Sequence, residues 1–466
     1  MPAKKIKLYI LVLLLMAMPL SGFGCKFSQS NEVQQLNKPV NLSWWGVWEE
    51  SAQVASLINA YQSVHPNINI TYRKFRWEEY EAALTRAWLE QRGPDIYSIP
   101  ASYLHQYQSL IQPMPATMRL PFVEMQGAIK KEPVTVIKTV AGLTPSKLKD
   151  LFVGAIADEA VIADQIYGLP LSLDSLALYY NRDILNNARI PLPATTWSEL
   201  VEQVSQLAVF DQNNNINQAA IALGTSDNIP RSSDILSLLM MQNGATMSDD
   251  DGRVIFNQPP EGVNFYPAKD ALDFYTSFAN TSKAVYTWNE DMPDALEAFT
   301  SGRLAYFIGY SYQLPIIRAA APKLNFNVAP MLQTMPDVQE INFADWWALT
   351  TYFGADETKI APAWNFIKFI TTTPEVLGPY LTEAKRPTAL RALINDQIQQ
   401  DGISVFANQV LTAQNWYRGY DAVAADQAMQ HMIDQANHDI TDKFTLNNLL
   451  DLTADKINQT NQPPQP

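Results

Sequence analysis

Aromatic residues stand beside glycine, proline, asparagine or acidic residues at several points of this chain, outside the apolar stripes that build a core. The chain has 11 Trp and 20 Tyr, and aromatic residues make up 11% of it. Trp45 and Trp48 flank a Gly-Val pair, and Trp346-Trp347 follow Asp345. Flat rings beside hydrogen-bonding groups are typical of a pocket for a small polar molecule. Core packing is the commoner role of Trp and Tyr, so that alternative stays open for each ring.

Motifs for catalysis or metal binding are weak. Ser146 and Lys149 have Ser-x-x-Lys spacing, but no Lys-Thr-Gly follows. The four histidines lack the His-x-x-x-His or cysteine spacing of a zinc site. Residues 211–215 begin like a calcium loop, but Ile216 stands where such a loop needs glycine. The sequence therefore predicts no catalytic residues, no metal ion and no cofactor.

Length and charge limit the class of protein. At 466 residues the chain is too long for one hydrophobic core, and its 47% apolar residues can fill two. The formal net charge of -14 argues against a nucleic-acid partner, because Lys and Arg dominate phosphate binding. We expect a globular protein of two or more lobes.

The N-terminal segment predicts export. Three lysines precede an apolar run over 8–18, which is too short to span a bilayer but suits a signal-peptide core. The single cysteine, Cys25, follows Gly24, and a cysteine in this place resembles the modified residue of bacterial lipoproteins. We expect a signal peptide over 1–24, lipid attachment at Cys25 to the outer face of the cytoplasmic membrane, and a flexible tether over 25–39. The alternative is a plain secreted protein with one free thiol.

From residue 40 the pattern predicts strand, helix, strand, helix and strand. Residues 40–45 are strand-like, and apolar residues then follow helical spacing up to His65-Pro66. Apolar and polar residues next alternate as in a strand, a second stretch of helical spacing follows, and a short strand ends at Ile99. Helices between successive strands predict a parallel sheet and an α/β fold. Ligands of such sheets bind at the carboxyl ends of the strands, where Trp45 and Trp48 stand.

A second lobe is predicted after the Tyr-Gly-Leu-Pro sequence at 167–170. Residues 176–181 are strand-like, and Thr196 with Glu199 has the spacing of a capping box at the head of a helix. The loop 225–230 follows a strand and precedes a helix, so Asp227 is our candidate polar contact in this lobe. The last hundred residues are rich in helix.

Eight short motifs, taken in order, resemble landmarks of the extracellular solute-binding proteins of bacterial ABC importers (family 1, sugar-binding type). Each motif alone is weak, but their order covers roughly residues 40–455. The motifs are Trp44-Trp45-Gly46-Val47-Trp48; Gly93-Pro94-Asp95-Ile96; Tyr167-Gly168-Leu169-Pro170; 178–185; Thr196-Trp197-Ser198-Glu199-Leu200; Phe299 with Gly302-Arg303-Leu304-Ala305 and Gly309; Val328-Ala329-Pro330; and 363–369.

The resemblance implies a two-lobe periplasmic-binding-protein-like fold (type II). Each lobe would be a mainly parallel sheet flanked by helices, and hinge strands would join the two around a ligand cleft. The implied division is 40–171 with 346–402 for lobe 1, 172–345 with 403–457 for lobe 2, and a disordered tail over 458–466. The stretch 114–163 is longer and less patterned than the family leads us to expect and reads as an insertion.

The resemblance also implies ligand contacts. It places Trp45, Trp48 and Asp95 near the cleft in lobe 1, and Tyr310 as an aromatic platform after a strand of lobe 2. Trp346 and Trp347 stand at a predicted lobe crossing. Arg386 falls at a turn near the cleft, and Trp416 where sugar-binding relatives carry a late aromatic ring.

The implied function is solute capture. The protein would be a monomer that binds a small solute, above all a mono- or oligosaccharide, and delivers it to membrane permease subunits of an ABC importer without doing chemistry. Two alternatives stay open: a secreted, lipid-anchored carbohydrate-active hydrolase, and a sensory solute receptor on the same fold.

Overall fold

The computed structural model describes residues 36–127, 130–262, 264–335, 339–441 and 444–462. Within these ranges the chain forms two mixed β-sheets covered by helices, together with two separate two-stranded pairs. The strands are β1 (Val40–Gly46), β2 (Ile68–Lys74), β3 (Ile96–Pro100), β4 (Thr117–Gln126), β5 (Glu132–Ala141), β6 (Val161–Ile162), β7 (Gln165–Ile166), β8 (Leu169–Ser175), β9 (Ala177–Asn181), β10 (Val209–Phe210), β11 (Ile216–Ile221), β12 (Leu304–Gly309), β13 (Phe326–Ala329), β14 (Asn342–Thr351) and β15 (Ala413–Gln414).

Sixteen α-helices complete the described part of the chain. They are α1 (Ser51–Val64), α2 (Trp77–Leu89), α3 (Pro145–Leu151), α4 (Gly154–Ala160), α5 (Arg182–Asn187), α6 (Trp197–Leu207), α7 (Ser232–Gln242), α8 (Pro267–Ser277), α9 (Ala295–Thr300), α10 (Gln313–Ala320), α11 (Glu357–Thr372), α12 (Pro374–Ala384), α13 (Arg391–Gln397), α14 (Ser404–Gln409), α15 (Ala422–His438) and α16 (Leu446–Gln459).

The first five elements follow the apolar spacing of the sequence. In β1, Leu42 and Trp44 are buried while the residues between them are more exposed. Helix α1 buries Val54, Leu57 and Tyr61 on one face and ends before Pro66. Strand β1 pairs in parallel with both β2 and β3. The predicted order of strand, helix, strand, helix and strand is confirmed.

The two sheets differ in strand direction. The first has the order β15-β14-β3-β1-β2, with β8 beside β14, and β14 runs antiparallel to both β3 and β8. The second has the order β10-β11-β12-β9-β13, and among its described strands only β11 and β12 pair in parallel. The α/β fold is confirmed, but a mainly parallel sheet is wrong for the second one, because β9 runs antiparallel to both of its neighbours.

Two buried clusters of apolar side chains accompany the two sheets. The first core draws on residues 42–173 and 344–394, with Val410 and Ala413. The second core draws on residues 176–343 and on most apolar positions of 403–457. The chain therefore passes from one core to the other directly after Leu173 and returns between Phe343 and Ala344. Strands β8 and β14 make these crossings side by side.

The stretch that the sequence leaves without a pattern is regular in the structure. Strands β4 and β5 pair along ten positions each, forming a long antiparallel ribbon. Helix α3 follows, capped by the Thr144 side chain with Pro145 in its first turn, and then α4. Most side chains on both faces of this ribbon are partly or fully exposed, so no alternation of apolar and polar residues indicates its strands.

The predicted disordered tail over 458–466 is wrong for its first residues. Asn458 lies in α16, and its side-chain amide bonds both the N–H and the C=O of Val254. Asn461 donates to the carbonyl of Gly252. Residues 463–466 lie outside the described residues, as do the predicted signal peptide and Cys25. No helix in the described ranges is long and apolar enough to cross a membrane.

Candidate functional site

A cleft of about 1080 Å³ lies between the two cores. Its walls come from the loops after β1 and β3, from the crossing strands β8 and β14, and from residues at or near the ends of α7, α10 and α12. Because the crossings form its floor, a molecule in the cleft contacts both cores and the strands that join them.

Aromatic rings line one wall. Trp48 follows β1 and is 39% exposed, and its ring centroid lies 5.4 Å from that of Tyr312 and 5.7 Å from that of Trp347. Trp77, at the head of α2, extends the row with its ring 5.4 Å from Trp347. Tyr312 packs against the second core and Trp347 against the first. The row therefore crosses from one lobe to the other and offers flat apolar faces to a ligand.

Arg386, which follows α12 closely, covers the inner end of this row. Its guanidinium carbon lies 5.5 Å from the Trp48 ring and 6.0 Å from the Tyr312 ring. The Arg386 Nη1 atom lies 3.7 Å from Oδ2 of Asp174, so the cation is held between two aromatic faces and one carboxylate.

Asp174 joins the floor of the cleft to the second lobe. It lies in β8, and its carboxylate accepts hydrogen bonds from the Ser311 N–H at 3.0 Å, the Ser311 hydroxyl at 2.6 Å and the Tyr312 N–H at 3.3 Å. Burial raises the pKa of Asp174 although Arg386 and the Ser311 donors lower it. These hydrogen bonds hold the backbone of Ser311 and Tyr312 against the floor of the cleft.

Arg231 is the cation of the opposite wall. Its Nε atom bonds Oδ2 of Asp234 at 2.5 Å, and its Nη2 atom lies 3.2 Å from Oδ2 of Asp345 on β14. The guanidinium also lies 5.1 Å from the Tyr310 ring. Arg231 has a left-handed backbone conformation, φ 61°, directly before α7. That turn brings the side chain back over the start of the helix and towards the crossing strand.

Glu49 is a buried acid in the first-lobe wall. Its side chain is 8% exposed, and its Oε2 atom has no hydrogen-bond partner among the described residues. Burial raises the pKa of Glu49, against a lowering by Arg386 and Lys74. Burial likewise raises the pKa of Asp345, which Arg231 lowers. Hydrogen-bond donors of a ligand would stabilise these carboxylates in their charged form.

Five of the predicted site residues line the cleft: Trp48, Trp346, Trp347, Trp416 and Arg386. Trp346 is almost fully buried, whereas Trp347 is partly exposed and contacts Trp48. The Trp416 indole N–H donates to the Ser237 hydroxyl at 3.0 Å, which orients its ring at the far end of the cleft. That these five contact a ligand stays a prediction.

Trp45 and Asp95 are not among the residues that line the cleft. The Trp45 ring packs against Phe75 at 4.6 Å because strand alternation turns it to the face of β1 opposite Trp44. Asp95 accepts hydrogen bonds from the N–H and hydroxyl of Ser43 and pairs with Lys359 at 3.0 Å. Its role is to tie β1 to the start of β3 and to α11.

Asp227 and Tyr310 do not reach the cleft either. Asp227 is exposed on the loop before α7 and accepts a hydrogen bond from Ser226. Tyr310 is fully buried, and its hydroxyl donates to Asp234 Oδ2 at 2.6 Å. Tyr312, two residues later, takes the wall position predicted for Tyr310 and stacks on it at 5.9 Å.

Sequence reasoning missed the charged groups of the cleft, above all Arg231, Asp174 and Asp234. Asp174 comes four residues after the Tyr-Gly-Leu-Pro motif, which marks where the chain leaves the first lobe. Arg231 follows the predicted loop 225–230 directly. Neither Asp174 nor Arg231 belongs to a local motif, and the contacts that place them at the cleft, with Arg386 and Ser311 for Asp174 and with Asp345 for Arg231, join residues distant in sequence.

This geometry is that of a binding site between two lobes, with aromatic platforms and fixed charges on both sides. The chain belongs to the bacterial extracellular solute-binding protein family, whose profile matches residues 56–404. The family consists of binding proteins rather than enzymes, and its members are exported.

Sequence relatives are distant. A protein of Brucella abortus (strain 2308) named as a binding protein is 21% identical over 273 residues, which are 58% of this chain and 57% of that protein. A protein of Brucella suis biovar 1 (strain 1330) matches to the same extent. The chain thus spans about 57% of the length of these relatives.

Solved structures share the fold at low sequence identity. A cyclic alpha-maltosyl-1,6-maltose binding protein from Arthrobacter globiformis has a TM-score of 0.70 and 14% identity, covering 91% of this chain and 99% of that one. An ABC transporter solute-binding protein from Thermotoga lettingae, bound with alpha-D-tagatose, has a TM-score of 0.65 and 17% identity, covering 91% and 100%. The sugar-binding protein of Xanthomonas citri has a TM-score of 0.67 and 13% identity, covering 90% and 98%.

Proposed function

We propose that this protein captures a neutral polar solute, a mono- or oligosaccharide, and delivers it to the permease of an ABC importer. The observation that carries the proposal is the row of Trp77, Trp347, Trp48 and Tyr312 along the cleft, closed by Arg386. Sugars present C–H faces that pack on such rings and hydroxyls that bond carboxylates and guanidinium groups. The names of the similar solved structures, which bind sugars, support the same class of ligand.

The proposed mechanism is closure of two lobes, 40–171 with 346–402 and 172–345 with 403–457. The two separate cores and the crossings at β8 and β14 support this division. Trp48 and Tyr312 belong to different lobes, so a ligand held by both rings bridges the lobes. Such a ligand binds the closed form more tightly than the open form and shifts the population towards it, and the permease would recognise that form.

We assign ligand contact to Trp48, Trp347, Trp346, Trp416 and Arg386. Trp48 and Trp347 would be the platforms, because their rings are open to the cleft. Trp346 and Trp416 are nearly buried and would bound the site at its floor and far end. Arg386 would donate to ligand hydroxyls, because its guanidinium carries more donors than its contact with Asp174 uses.

Thermal unfolding with a solute panel tests the ligand class. Mono- and oligosaccharides, polyols and amino acids are each added to the chain, and the melting temperature is recorded. A solute present at 100 times its dissociation constant adds about 2.7 kcal/mol to the free energy of unfolding. Chromatography of the same samples separates a receptor, which leaves the sugar intact, from a hydrolase. A shift with amino acids alone would overturn the sugar assignment.

Paired variants test the site. Trp48→Ala removes a platform and should weaken sugar binding by about 5- to 150-fold, since stacking on a ring and the surrounding burial are together worth about 1–3 kcal/mol. The control is Phe265→Ala, which truncates an aromatic residue of similar exposure outside the cleft and should leave the dissociation constant unchanged. Equal affinity of both variants would refute the platform role.

We also propose that residues 1–24 are removed as a signal peptide and that lipid at Cys25 anchors the chain to the outer face of the cytoplasmic membrane. Two or more acyl chains give stable anchoring, whereas one gives only marginal binding. A Cys25→Ala variant should be exported but released from the membrane fraction. A variant that stays in the membrane fraction would contradict the anchor.

A further inference from the structure

Glu49 is an acid that the fold buries in the cleft wall without a partner for all of its carboxyl group. Its side chain is 8% exposed, and its Oε2 atom has no hydrogen-bond partner among the described residues. Lys74 on β2 pairs with Glu50, and Arg386 contacts Asp174. A carboxylate removed from water loses free energy unless a donor meets it. The Glu49 oxygen therefore requires a donor that the described side chains do not supply.

Local structure fixes the place of this carboxyl group. The Tyr72 hydroxyl donates to the Glu49 carbonyl at 2.9 Å. The next residue, Glu50, is the N-cap of α1 and forms a capping box with Gln53. A Cβ atom on Gly46 would come within 3.0 Å of Glu49 Oε2 and 2.8 Å of the Tyr72 hydroxyl, so the glycine leaves the room that the carboxyl group occupies. The acid is thus held over the carboxyl end of β1.

Two buried hydroxyl groups line the cleft near Glu49. Ser98 lies on β3, one residue past the pair of Trp45 and Tyr97, and so at the same end of the sheet. It is 2% exposed, and its Oγ atom has no hydrogen-bond partner among the described residues. Tyr380 on α12 is buried too, and burial together with the charge of Glu49 raises the pKa of its hydroxyl, which therefore stays protonated. We refer to Glu49, Ser98 and Tyr380 as the Glu49 corner.

The chemistry of the Glu49 corner suits the hydroxyls of a sugar ring. A charged carboxylate only accepts hydrogen bonds, whereas the hydroxyls of Ser98 and Tyr380 both donate and accept. Of two neighbouring ring hydroxyls, one can donate to Glu49 while the other accepts from Ser98 or Tyr380. A carboxylate or a phosphate dianion on the ligand has no proton to donate to Glu49 at neutral pH.

The charge of the cleft favours an uncharged ligand as well. Of the described residues that line the cleft, eight are acidic and three are basic. Two of the basic residues, Arg231 and Arg386, already contact acids of the cleft. An anionic solute would therefore enter a surplus of negative charge, and like charges brought together in a binding site oppose binding strongly.

We infer that the Glu49 corner recognises neighbouring hydroxyls of an uncharged sugar ring and that Glu49 excludes sugars that carry a carboxylate or a phosphate. The inference rests on the proposed sugar-binding function and narrows its class of ligand. The charged and titratable groups that face Glu49 are Lys74 and Tyr72 from β2, Tyr80 from α2, Tyr380 from α12, Arg386 after α12, and the neighbouring Glu50.

Binding at the Glu49 corner depends on pH. Burial raises the pKa of Glu49, although Arg386 and Lys74 lower it, so the free protein holds a proton there at pH values where an exposed glutamate is charged. A ligand hydroxyl that donates to the carboxylate lowers this pKa again. Binding then releases a proton, and affinity falls as pH falls. The facing tyrosines keep their protons throughout, because burial raises the pKa of each.

Titration calorimetry at pH 5 and pH 8 with glucose, galactose, mannose and maltose tests this dependence on the parent chain and on Glu49→Gln. At pH 8 the variant should bind about tenfold more weakly, because a hydrogen bond to a charged group is stronger than one to a neutral group. At pH 5 the two affinities should converge. Other buried acids of the cleft, such as Asp174, Asp345 and Asp426, are common to both proteins. A ratio of affinities that is the same at both pH values would overturn the inference.

Two further variants serve as comparisons. Ser98→Ala removes one hydroxyl of the Glu49 corner and should weaken binding about fivefold while keeping the pH profile of the parent. Glu375→Gln makes the same chemical change on the exposed face of α12, outside the cleft, and should leave both affinity and pH profile unchanged. A pH profile that flattens equally in Glu375→Gln would refute the role of Glu49.

Charged sugars give a second readout. Glucuronate, galacturonate and mannuronate should each bind the parent about 100-fold more weakly than the matching neutral sugar at pH 8, and Glu49→Gln should narrow that gap. A uronate that binds as tightly as its neutral sugar would refute the inference and leave the proposed sugar-binding function standing. Absence of binding by every sugar would refute the proposed function, and the inference with it.

Discussion

Glu159 provides the sharpest prediction about stability. It lies on α4, its side chain is 3% exposed, and its Oε1 atom lies 3.8 Å from Nη2 of Arg418. Burial raises the pKa of Glu159 to about 7, although Arg418 and Trp346 lower it, and Asp345 raises it further. The folded protein therefore holds a proton on this carboxyl group at pH values where the unfolded chain has lost it.

The sign and size of the effect follow from that difference. Between the ordinary pKa of 4.5 and about 7, the folded state binds more protons than the unfolded state, so the free energy of unfolding falls as pH rises. Each unit of pKa shift corresponds to about 1.36 kcal/mol, so the charged carboxylate costs about 3 kcal/mol above pH 7. Glu159→Gln keeps the shape of the side chain and removes the charge.

Urea unfolding at pH 5 and pH 8 measures this cost. Relative to the parent, Glu159→Gln should gain about 2–3 kcal/mol more at pH 8 than at pH 5. Other buried carboxyls, such as Asp174 and Glu49, change both proteins equally and cancel in the comparison. The control is Glu202→Gln on the exposed face of α6, which should show no such difference. A Glu159→Gln variant whose effect is the same at both pH values would refute the argument.

Three further substitutions test contacts that hold the lobes. Asp174→Asn replaces a carboxylate oxygen that accepts from the Ser311 hydroxyl and the Tyr312 N–H with an amide group that donates. Because one or both donors then lose their acceptor, the free energy of unfolding should fall by about 1–3 kcal/mol in urea titrations. Thr196→Ala removes the capping box of α6 and should cost about 1 kcal/mol by the same measurement, with no change in sugar affinity. Asn458→Ala leaves the buried N–H and C=O of Val254 without their two partners and should lower the free energy of unfolding by about 1–3 kcal/mol, seen as a lower melting temperature. An unchanged melting temperature would mean that this contact does not hold the end of α16.

Sequence reasoning succeeded where the pattern is local. The spacing of apolar residues gave β1, α1, β2 and α2, and the Thr196 and Glu199 pair gave the start of α6. Local patterns did not predict the pairing of β8 with β14, which joins residues more than 160 positions apart; lobe crossings near these strands follow only from the family resemblance. No local period records such a pairing, and both strands are buried over most of their length, so neither shows clear alternation.

The candidate site shows the same limit of local patterns, because contacts formed on folding decide which side chains reach the cleft. Trp48 was found because it stands beyond the end of a predicted strand, whereas Trp45, still inside the strand, turns to the opposite face from Trp44. The resemblance implies Tyr310 as the aromatic platform after the strand, whereas Tyr312 takes that position in the structure. The choice between them depends on Asp234, which holds the Tyr310 hydroxyl in the interior, and this contact is formed only by folding.

The charges at the floor of the cleft link the site to the crossings. Asp174 on β8 pairs in register with Asp345 on β14, so a buried and a partly buried carboxylate stand on neighbouring strands, and the charge of Asp174 raises the pKa of Asp345. Arg386 meets Asp174 and comes from the first lobe, whereas Arg231 meets Asp345 and comes from the second. Each arginine therefore lowers the pKa of one of these carboxyl groups, whereas burial raises it. Any rotation of the lobes that moves one arginine leaves like charges unbalanced at the hinge, and a ligand whose hydroxyls donate to the same carboxylates can offset that loss.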